Sequence, residues 1–578
     1  MLNHRNDIDG LRAVAVLSVV LFHLGLCNSG FLGVDIFFVI SGYLITNIIS
    51  QEIEDNKFTF ANFFMRRIRR ILPLSVCISF IALLGGVTWM LPDDLENLAQ
   101  SVVATNFFAN NLLQVVTTKN YWDVVNEFKP LMHTWSLAVE EQFYLFFPFA
   151  MALGIRIFKR GVWVPLALTT FATWMVTNIS GMPEYLTFYL LPFRIWELLA
   201  GGVLASQIGR QRLSYRTLKA AFPFLLVLIS GSLEVVGKNF ERTFVVIATV
   251  AFLASDNTKS PALMHLVANK GLRFIGAISY SIYMWHQVLL AFMRYLYGTQ
   301  LNIFELTLFA VLLFGFSILT YYAVEQPFRN ANSTSNRTVL LFVIVGLVTT
   351  TIIGLLVYNR AGVIRNIPEL GVSTKKVQRG MHSQYNHRIY DLDRDFQFED
   401  KVKVLVVGNS FARDWANVLQ ESEMSSKIDI SYLFSSEPSA AFSSRISECD
   451  VAFFTPPLPE TIWRSFSNKI WVIGVKNFGT SNGKFYNSRD SDYYSQTTPI
   501  EAEYLDENYR LRIQYGSRYL DYFAKVINEN KEVPVFTDDK MFISQDCRHL
   551  TQAGARFFSR HFALEIAQII HNNPANVD

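Results

Sequence analysis

The chain has 578 residues, of which 51% are hydrophobic and only 17% are charged, whereas soluble domains carry about 25% charged residues. The net charge of +3 is too small to indicate a nucleic-acid ligand, and the four cysteines lack the spacing of a metal site. The long apolar runs are confined to residues 1–360, so the composition predicts a membrane part followed by a soluble part. A disulfide between Cys449 and Cys547 stays open, because pairing cannot be deduced from sequence alone.

Long apolar runs follow one another along the first part of the chain. A bilayer core requires roughly 20 apolar residues per helix, and eleven runs approach this length. These runs are residues 11–27, 32–50, 71–91, 138–157, 162–178, 190–207, 220–236, 243–256, 275–297, 303–324 and 338–358. The first run has no small-residue cleavage site after it, so we expect a retained helix rather than a signal peptide. The second run contains Asp35, Ser41 and Gly42, which predicts a broken or re-entrant span.

The distribution of lysine and arginine predicts the orientation of the spans. With a cytoplasmic N-terminus, the inner loops hold Arg66, Arg67, Arg69, Arg70, Lys159, Arg160, Arg210, Arg212, Arg216, Lys219, Lys259, Lys270, Arg273, Arg329 and Arg337. The outer loops hold little beyond Lys119, Lys129, Lys238 and Arg242. An odd number of spans then places residues 361–578 outside the cytoplasm.

Two ionisable residues lie within the first predicted span, where such groups are costly and usually functional. Arg12 and His23 are eleven residues apart, so they share nearly one helix face at a distance of roughly 16 Å. A histidine at this depth is suited to general-base chemistry, and an arginine is suited to binding phosphate. The alternative is that Arg12 extends to the interface and His23 only packs.

The segment MRRIRRILP places four arginines at the inner mouth of the third span. They are Arg66, Arg67, Arg69 and Arg70. One interpretation is simply the positive-inside rule. The other is a cytosolic site for a multiply phosphorylated ligand.

The segment HTWSLAVEEQFYLFFP carries His133, Glu140 and Glu141 at the start of a span. Two adjacent glutamates cannot both face lipid, so at least one is expected to face a polar cavity. Further along, Arg194 and Glu197 have the i, i+3 spacing of an ion pair within one helix. We expect His286 and Glu325 to be structural.

Seven motifs occur in a defined order in the membrane part. They are DIDGLRAVAVLSVVLFH, FLGVDIFFVISGYLIT, RRIRRILP, HTWSLAVEEQFYL, LPFRIWELLAGG, SYSIYMWH and VEQPFR. In their residues and their order they resemble the motifs of the acyltransferase-three family of membrane acyltransferases over about residues 5–330. The resemblance implies a bacterial inner-membrane protein that transfers acyl groups, usually acetyl from acetyl-CoA, to an extracytoplasmic carbohydrate. It assigns the arginine–histidine motif to Arg12 and His23, the motif glutamate to Glu140 and the basic motif to Arg66 through Arg70.

The soluble part alternates strand-like and helix-like segments after about forty polar residues. Apolar strands are predicted in KVKVLVVGNSF, IDISYLFSS, CDVAFFTPP and KIWVIGVKNFG. A long amphipathic helix is predicted in EYLDENYRLRIQYGSRYLDYFAKVINEN, and a last helix follows the loop DCRHL. This alternation predicts a parallel α/β sandwich.

Three polar residues of the soluble part are expected to meet at the carboxyl ends of the strands, where such sheets place their active sites. Ser410 follows the first strand, and Asp546 and His549 lie on the loop before the last helix. Serine, histidine and an acid form the usual nucleophilic triad. The pattern resembles the SGNH hydrolase family, in which a G-D-S block carries the nucleophile and a late D-x-x-H block carries the acid and the base.

The chain departs from that family's pattern in two places. Asn409 stands where the G-D-S block has an aspartate, and the prolines of CDVAFFTPP stand where a G-x-N-D block is expected. The third oxyanion donor is therefore open. Asn477, which follows the fourth strand, is the candidate.

Together these patterns predict about ten or eleven transmembrane helices followed by an extracytoplasmic SGNH-like α/β domain with a parallel sheet. The expected divisions are a membrane acyltransferase domain (residues 1–330), an additional transmembrane helix (331–360), a linker that packs partly on the next domain (361–400) and the α/β domain (401–578). The membrane part would supply acyl groups and Ser410 would pass them to a sugar hydroxyl.

Several functions compete. The leading one is O-acetylation of a surface polysaccharide such as lipopolysaccharide O-antigen, with peptidoglycan as the alternative acceptor. A membrane-anchored carbohydrate esterase would leave the intramembrane charges unexplained. A transporter would leave Ser410, Asp546 and His549 unexplained. We expect a surface glycan and the lipid bilayer as partners, and neither a metal nor nucleic acid.

The orientation is testable with a reporter that functions only in the cytoplasm, fused after Asp578. We expect this reporter to be silent, because the lysine and arginine asymmetry places residues 361–578 on the far side of the membrane. Strong reporter activity would contradict both the orientation and the extracytoplasmic acceptor.

Overall fold

The computed structural model describes residues 5–117, 126–179, 181–207, 222, 225–226, 238–255, 267–375, 377, 381–435, 439–489, 491–544 and 546–571. The chain divides into two compact units. The helical unit comprises Met1–Gly86, Asn97–Met293 and Asn302–Leu355, and the α/β unit comprises Val87–Glu96, Arg294–Leu301 and Leu356–Asp578. Two short segments from the first part of the sequence thus belong to the α/β unit.

Within the first 360 residues, the regular elements that the structure describes are helices. The α-helices are Asn6–His23, Gly33–Glu54, Phe60–Trp89, Pro92–Asn106, Asn110–Thr117, Thr134–Phe158, Trp163–Ile179, Glu184–Tyr189, Leu191–Gln207, Lys238–Ala254, Lys270–Ala277, Ser279–Tyr297, Ile303–Thr320 and Asn336–Asn359. The helix Ile303–Thr320 continues through a π-helical turn, Tyr321–Glu325, into the short helix Gln326–Arg329.

Four helices in the described ranges are long and apolar enough to cross a membrane: Gly30–Glu54, Phe60–Trp89, Ile303–Arg329 and Asn336–Asn359. A fifth span results if Thr134–Gly161 and Trp163–Ile179, which meet at a bend of 115°, count as one. By this measure the described residues do not reach the predicted eleven spans, because other helices are short or carry several charges, as Asn6–His23 does with Asp7, Asp9 and Arg12. The predicted span over residues 220–236 lies largely outside the described residues. The chain is a multi-pass membrane protein.

The second helix is continuous from Gly33 to Glu54, so the prediction of a broken span over residues 32–50 is wrong. Gly42 does not break the helix; it allows a neighbouring helix to pack closely against it. A Cβ atom at Gly42 would lie only 1.7 Å from the carbonyl oxygen of Leu198, and one at Gly201 would lie 2.1 Å from that of Val39. Small residues of this kind let two membrane helices approach until their backbones touch.

A buried ion cluster joins the same two helices. Arg194 lies 3.2 Å from Glu197, as its spacing predicts, and 3.4 Å from Asp35. All three side chains are almost fully shielded from solvent. The guanidinium also lies over the ring of Trp135, 5.7 Å from its centroid. Asp35 is therefore an ion-pair partner, which explains how a carboxylate is tolerated inside an unbroken helix.

The α/β unit contains the parallel sheet that the sequence predicts. Its strands are β1 (Val402–Val407), β2 (Ile428–Leu433), β3 (Val451–Phe454), β4 (Ile470–Ile473) and β6 (Tyr519–Leu520), with β5 (Thr497–Pro499) and β7 (Glu532–Pro534) forming a separate antiparallel pair. The five strands are all parallel, in the order β2-β1-β3-β4-β6. The helices of this unit are Met381–His387, Ser410–Gln420, Ala440–Glu448, Glu460–Phe466, Asn482–Asn487, Ala502–Tyr515, Phe523–Val526, Gln552–His561 and Ala563–His571.

Two hydrophobic clusters pack against the strands, as expected for a parallel sheet that is covered on both faces. One cluster centres on Trp415, whose ring contacts those of Phe453, Tyr522 and Phe562. The other cluster packs on the opposite face of the sheet and includes Cys449. Because strand residues alternate between faces, neighbouring residues of β1 divide between these clusters.

The prediction of one long amphipathic helix near residues 503–530 is only half correct. The helix ends at Tyr515, and Gly516 follows with a φ of 53°. This positive φ favours glycine and stops the helix. The next residues form β6 and the short helix Phe523–Val526. A two-residue strand leaves too little alternation to be recognised in a sequence.

The segment that the sequence predicts as a linker, residues 361–400, contributes to the core of the α/β unit. Val363 and Ile367 are buried in a cluster with Phe536 and Phe542. Ile389 is buried beside the main sheet. Residues of this segment therefore pack against residues that follow them in the chain.

The close contact at Gly42 can be tested with alanine. We expect Gly42→Ala to destabilise the protein by at least about 1–3 kcal/mol, because an added methyl group would overlap the backbone of the neighbouring helix. The midpoint of thermal unfolding in detergent micelles measures the effect. Gly315→Ala is the matched control, since nothing lies within 4 Å of a Cβ atom there. Equal midpoints for the two variants would contradict the packing.

Candidate functional site

Ser410, His549 and Asp546 are hydrogen-bonded to one another in the α/β unit. His549 Nε2 lies 3.0 Å from Ser410 Oγ, and His549 Nδ1 lies 2.5 Å from Asp546 Oδ2. Ser410 is the first residue of the helix that follows β1, and the other two lie on the loop before the helix Gln552–His561. The structure thus brings together the three residues that the sequence predicts as a triad.

The turn that carries Ser410 is held by its neighbours. Gly408 has a φ of 132°, and a Cβ atom there would lie 1.8 Å from the hydroxyl oxygen of Thr455. The Tyr432 hydroxyl donates to the Gly408 carbonyl at 3.0 Å. Asn409 caps the helix, because its side-chain oxygen accepts from the Phe411 N–H at 2.9 Å. Asparagine can replace aspartate at this position because the role is to accept a hydrogen bond.

The Asp546 carboxylate is arranged to remain ionised. Its Oδ1 accepts the backbone N–H groups of Arg548 at 3.0 Å and His549 at 2.8 Å. Desolvation opposes ionisation, but the His549 ring and these N–H groups hold the pKa of Asp546 well below its usual range. About 38% of the Asp546 side chain is exposed, whereas His549 is buried. The Asp546 carboxylate fixes the imidazole so that Nε2 faces Ser410.

The structure does not direct Asn477 towards Ser410, so it does not support the oxyanion prediction. The Asn477 amide donates to the Gly479 carbonyl at 3.3 Å, and its oxygen accepts from the N–H groups of Gly479 and Glu501. Asn477 thus stabilises its own loop. The backbone N–H of Ser410 is a better candidate, because the first N–H groups of a helix have no intrahelical acceptor.

A second candidate site is a cavity of about 80 Å³ in the helical unit. Polar side chains supply much of its lining. They are Arg12, Ser41, Arg67, Arg70, Ser136, Glu140, Tyr144, Ser279, Tyr280 and Tyr283. Three guanidinium groups and one carboxylate therefore face a common space among apolar helices. Such a group can bind an anionic ligand with several phosphates.

The four arginines of the basic motif do not act as one group. Arg67 and Arg70 line the cavity. Arg66 instead pairs with Glu52 at 2.8 Å, and Arg69 donates to Asn336 and to two backbone carbonyls. The division follows from the helical period, because residues three apart share a face while adjacent residues do not. The prediction of a phosphate site is therefore not supported for Arg66 and Arg69.

Glu140 faces the cavity, as expected for at least one of the two adjacent glutamates. Its Oε1 accepts from the Ser41 hydroxyl at 2.6 Å. Ser41 lies beside Gly42, so the close packing of the second helix also positions this hydrogen bond. The sequence does not reveal the contact, because the two residues are far apart in the chain.

His23 is the last residue of the helix Asn6–His23, whereas Arg12 lies inside that helix and lines the cavity. The His23 ring is 5.3 Å from that of His286, which is 5.1 Å from that of His133. His286 Nδ1 lies 2.6 Å from the Tyr283 carbonyl oxygen, so Nδ1 carries the proton and Nε2 keeps a lone pair. Three histidines therefore meet in the helical unit, a group that the sequence does not reveal because the three residues are far apart in the chain.

None of the four cysteines forms a disulfide, and Cys449 and Cys547 are both buried. Cys449 packs against the sheet, whereas Cys547 lies on the loop between Asp546 and His549. The question of a disulfide that the sequence left open is thus answered in the structure. Among the described residues, no group of three histidine, cysteine or acidic side chains has the arrangement of a metal site.

Several known proteins are similar in sequence to this chain. The putative O-acetyltransferase SAR0937 of Staphylococcus aureus is 27% identical over 472 residues, covering 73% of this chain and 76% of the relative. The peptidoglycan O-acetyltransferase OatA of Listeria monocytogenes is 32% identical over 346 residues, covering 56% and 55%. The putative peptidoglycan O-acetyltransferase YrhL of Bacillus subtilis is 30% identical over 348 residues, covering 56% and 54%.

The matched region thus spans about half the length of the Listeria and Bacillus relatives. No solved structure matches the chain. An acyltransferase domain is identified over residues 5–358, which is more than half of the chain. The SGNH resemblance of the α/β unit lies beyond that region and stays a prediction. From the family match and the relatives, the chain belongs to the acyltransferase-three family and is an acyltransferase.

Proposed function

We propose that the protein is an O-acetyltransferase that moves an acetyl group from cytoplasmic acetyl-CoA to a hydroxyl of a cell-envelope glycan outside the cytoplasmic membrane. The observation that carries the proposal is the hydrogen-bonded set of Ser410, His549 and Asp546 in a chain whose other unit belongs to a membrane acyltransferase family. The helical unit would take the acetyl group from the donor inside the cell, and Ser410 of the α/β unit would hold it outside. A membrane-anchored esterase would need no acyltransferase domain.

Peptidoglycan is the acceptor that we favour. Two of the relatives are named for the O-acetylation of peptidoglycan. Lipopolysaccharide O-antigen, the acceptor expected first from the sequence, receives no such support from these names. The two acceptors present the same chemical group, a sugar hydroxyl, so the α/β unit can use one mechanism for either.

At the helical unit, the proposed donor site has two ends. Arg12, Arg67 and Arg70 bind the phosphates of acetyl-CoA in the cavity. His23 lies about three helical turns from Arg12, roughly 16 Å along the axis. The phosphates and the thioester of acetyl-CoA are at opposite ends of an extended molecule, so this separation suits one donor that contacts both residues. His23 acts as the base, with Glu140 contributing charge in the cavity.

At the α/β unit, the proposed chemistry is a double displacement. His549 removes the proton from Ser410 Oγ as the oxygen attacks the acetyl carbonyl carbon. The bond between that carbon and the group that delivers the acetyl from the helical unit breaks, and this leaving group takes up the proton from His549. The acceptor hydroxyl then loses its proton to His549 and attacks the acetyl-serine. Ser410 departs and recovers the proton, and the acetyl group is esterified to the sugar. Asp546 holds the imidazole throughout.

Substitutions in the triad test this proposal. We expect Ser410→Ala, His549→Ala and Asp546→Asn each to lower glycan acetylation by roughly 10³-fold or more, because each removes part of one nucleophilic unit. The Ser410→Ala/His549→Ala double variant should be no less active than Ser410→Ala alone. The measurement is ester-linked acetate on isolated peptidoglycan and on the other envelope glycans, by mass spectrometry of cells that produce each variant.

Ser447→Ala is the matched control, because Ser447 is exposed and its hydroxyl bonds only locally to the Ser444 carbonyl. Full acetylation by the Ser410→Ala protein would refute the serine carrier. Acetate that appears on another glycan but not on peptidoglycan would retain the mechanism and replace the acceptor.

The division of the arginines provides a second test. We expect Arg67→Ala to raise the KM for acetyl-CoA about 10- to 100-fold, because a charge-assisted hydrogen bond contributes about 1.5–3 kcal/mol. Arg66→Ala should change KM less than about twofold, since exposed ion pairs contribute little. The assay is transfer of labelled acetyl from acetyl-CoA in membrane vesicles. Equal effects of the two substitutions would contradict the assignment of the cavity to the donor.

A further inference from the structure

A buried cluster of charges lies next to the triad of the α/β unit. Lys476 Nζ is 3.0 Å from Asp414 Oδ2, and Arg413 donates to Asp414 Oδ1 at 2.9 Å. Lys476 and Asp414 have no exposed surface. The Lys476 ammonium also lies 3.4 Å from the ring centroid of Phe411. Removing such charges from water is costly, so they call for an explanation beyond stability.

The charges of the cluster favour one another's ionised forms, against the effect of burial. Burial lowers the pKa of Lys476 to about 8, even though the Asp414 carboxylate acts in the opposite direction. Burial opposes the ionisation of Asp414, but the charges of Lys476 and Arg413 hold its pKa below the usual range. A neutral hydrogen-bonded pair would fill the same space at lower cost in desolvation.

The cluster joins the two elements that carry the triad. Asp414 lies one helical turn after Ser410 on the same helix. Its Oδ2 also accepts the backbone N–H of Leu550 at 2.9 Å, directly after His549 in the chain. The side chain of Asp414 therefore ties the nucleophile's helix to the base's loop.

The loop after β4 provides a second tie. Lys476 pairs with Asp414 from this loop, and two residues later the Phe478 N–H donates to the Cys547 carbonyl at 2.7 Å. Cys547 stands between Asp546 and His549 with a φ of 68°, a conformation that non-glycine residues rarely adopt. The β4 loop thus holds this strained residue in place.

We propose that Asp414 and Lys476 are positioning residues for the triad: Asp414 docks the His549 loop on the Ser410 helix, and Lys476 balances the charge of Asp414 next to His549, the group that accepts the Ser410 proton. This inference rests on the proposed function of the triad. It assigns to the β4 loop a part in catalysis that differs from the oxyanion role predicted for Asn477.

The charges around His549 come from four elements. Asp546 and Arg548 lie on its own loop, Arg413 and Asp414 on the Ser410 helix, and Lys476 on the β4 loop. Asp93 and Asp94, from the segment Val87–Glu96 of the same unit, interact with Asp546, and burial raises the pKa of each to about 7. Their titration is common to every variant compared below and cancels in the comparison.

The charge of the cluster can be changed in both directions without loss of shape. With Arg413 included, the native cluster carries a net charge of +1. Asp414→Asn raises it to +2, Lys476→Met lowers it to 0, and the double variant returns it to +1. Asparagine still accepts the Leu550 N–H, and methionine has nearly the length of lysine.

The experiment measures kcat/KM for hydrolysis of 4-nitrophenyl acetate by the purified full-length protein in detergent, at about pH 5 to 9, with Ser410→Ala as the blank. We expect the acid limb to move by about 0.5–1 pH unit. It should move to lower pH in Asp414→Asn, because added positive charge disfavours protonated His549, and to higher pH in Lys476→Met. The shift should be larger for Asp414, which interacts with His549 itself.

The double variant decides between positioning by charge and a merely structural role. If charge balance matters, its acid limb returns to within about 0.3 pH unit of the native position while kcat stays reduced. Asp391→Asn and Lys427→Met, both at exposed positions, control for the change in net charge of the whole protein. Thermal unfolding of each variant confirms that folded protein is compared.

The inference would be overturned if the acid limb of the pH profile does not move, or if it moves in the same direction in both single variants. Failure of the double variant to fold or to restore the native limb would also overturn it. Failure of the proposed function looks different. In that case the Ser410→Ala protein hydrolyses the ester as fast as the native protein, before any comparison of Asp414 and Lys476 is made.

Discussion

Each unit of this chain contains buried charges, and removing a charge from water is costly unless opposite charges surround it. In the helical unit Arg194 lies between Asp35 and Glu197, and in the α/β unit Asp414 lies between Arg413 and Lys476. In each case one central ion is shared by two opposite charges. A shared ion needs both partners at fixed distances, so it constrains the helices that carry them more tightly than an apolar contact of similar size.

The constraint has different consequences in the two units. In the helical unit the shared arginine fixes the packing of two helices whose backbones already touch. In the α/β unit the shared carboxylate fixes a loop on a helix, and the loop carries the histidine. The same electrostatic arrangement therefore serves architecture in one unit and a candidate catalytic group in the other.

Much of this organisation is readable from the sequence, and the reason is local. Strands β1 to β4 are short apolar runs that end in turns, and Ser410 follows the first of them. The pair Asp546 and His549 is recognisable because a D-x-x-H spacing puts both side chains on one loop. Arg194 and Glu197 follow from a helical spacing. Each of these predictions needs only residues that are close in the chain.

The parts that the sequence does not reveal depend on contacts between distant residues. Asp35 looks like a helix breaker until Arg194 is placed beside it. Arg66 and Arg67 look equivalent until the helix faces are assigned. Lys476 looks like a surface lysine next to Asn477, and only the fold buries it against Asp414. The strand β6 has two residues, too few to show any period.

One contact of the helical unit limits how its cavity can change shape. The Ser41 hydroxyl that bonds Glu140 stands beside Gly42, where the helix Gly33–Glu54 meets the Leu198 carbonyl with no room for a methyl group. Helices packed this closely cannot slide past each other without a backbone clash, so this wall behaves as a fixed surface. Any widening of the cavity has to come from another wall. The helix Phe60–Trp89 is suited to it, because it carries Arg67 and Arg70 and has Pro73 in its interior, where a missing hydrogen bond makes bending easier. Bending of this helix would move Arg67 and Arg70, while Glu140 stays bonded to Ser41 on the fixed wall.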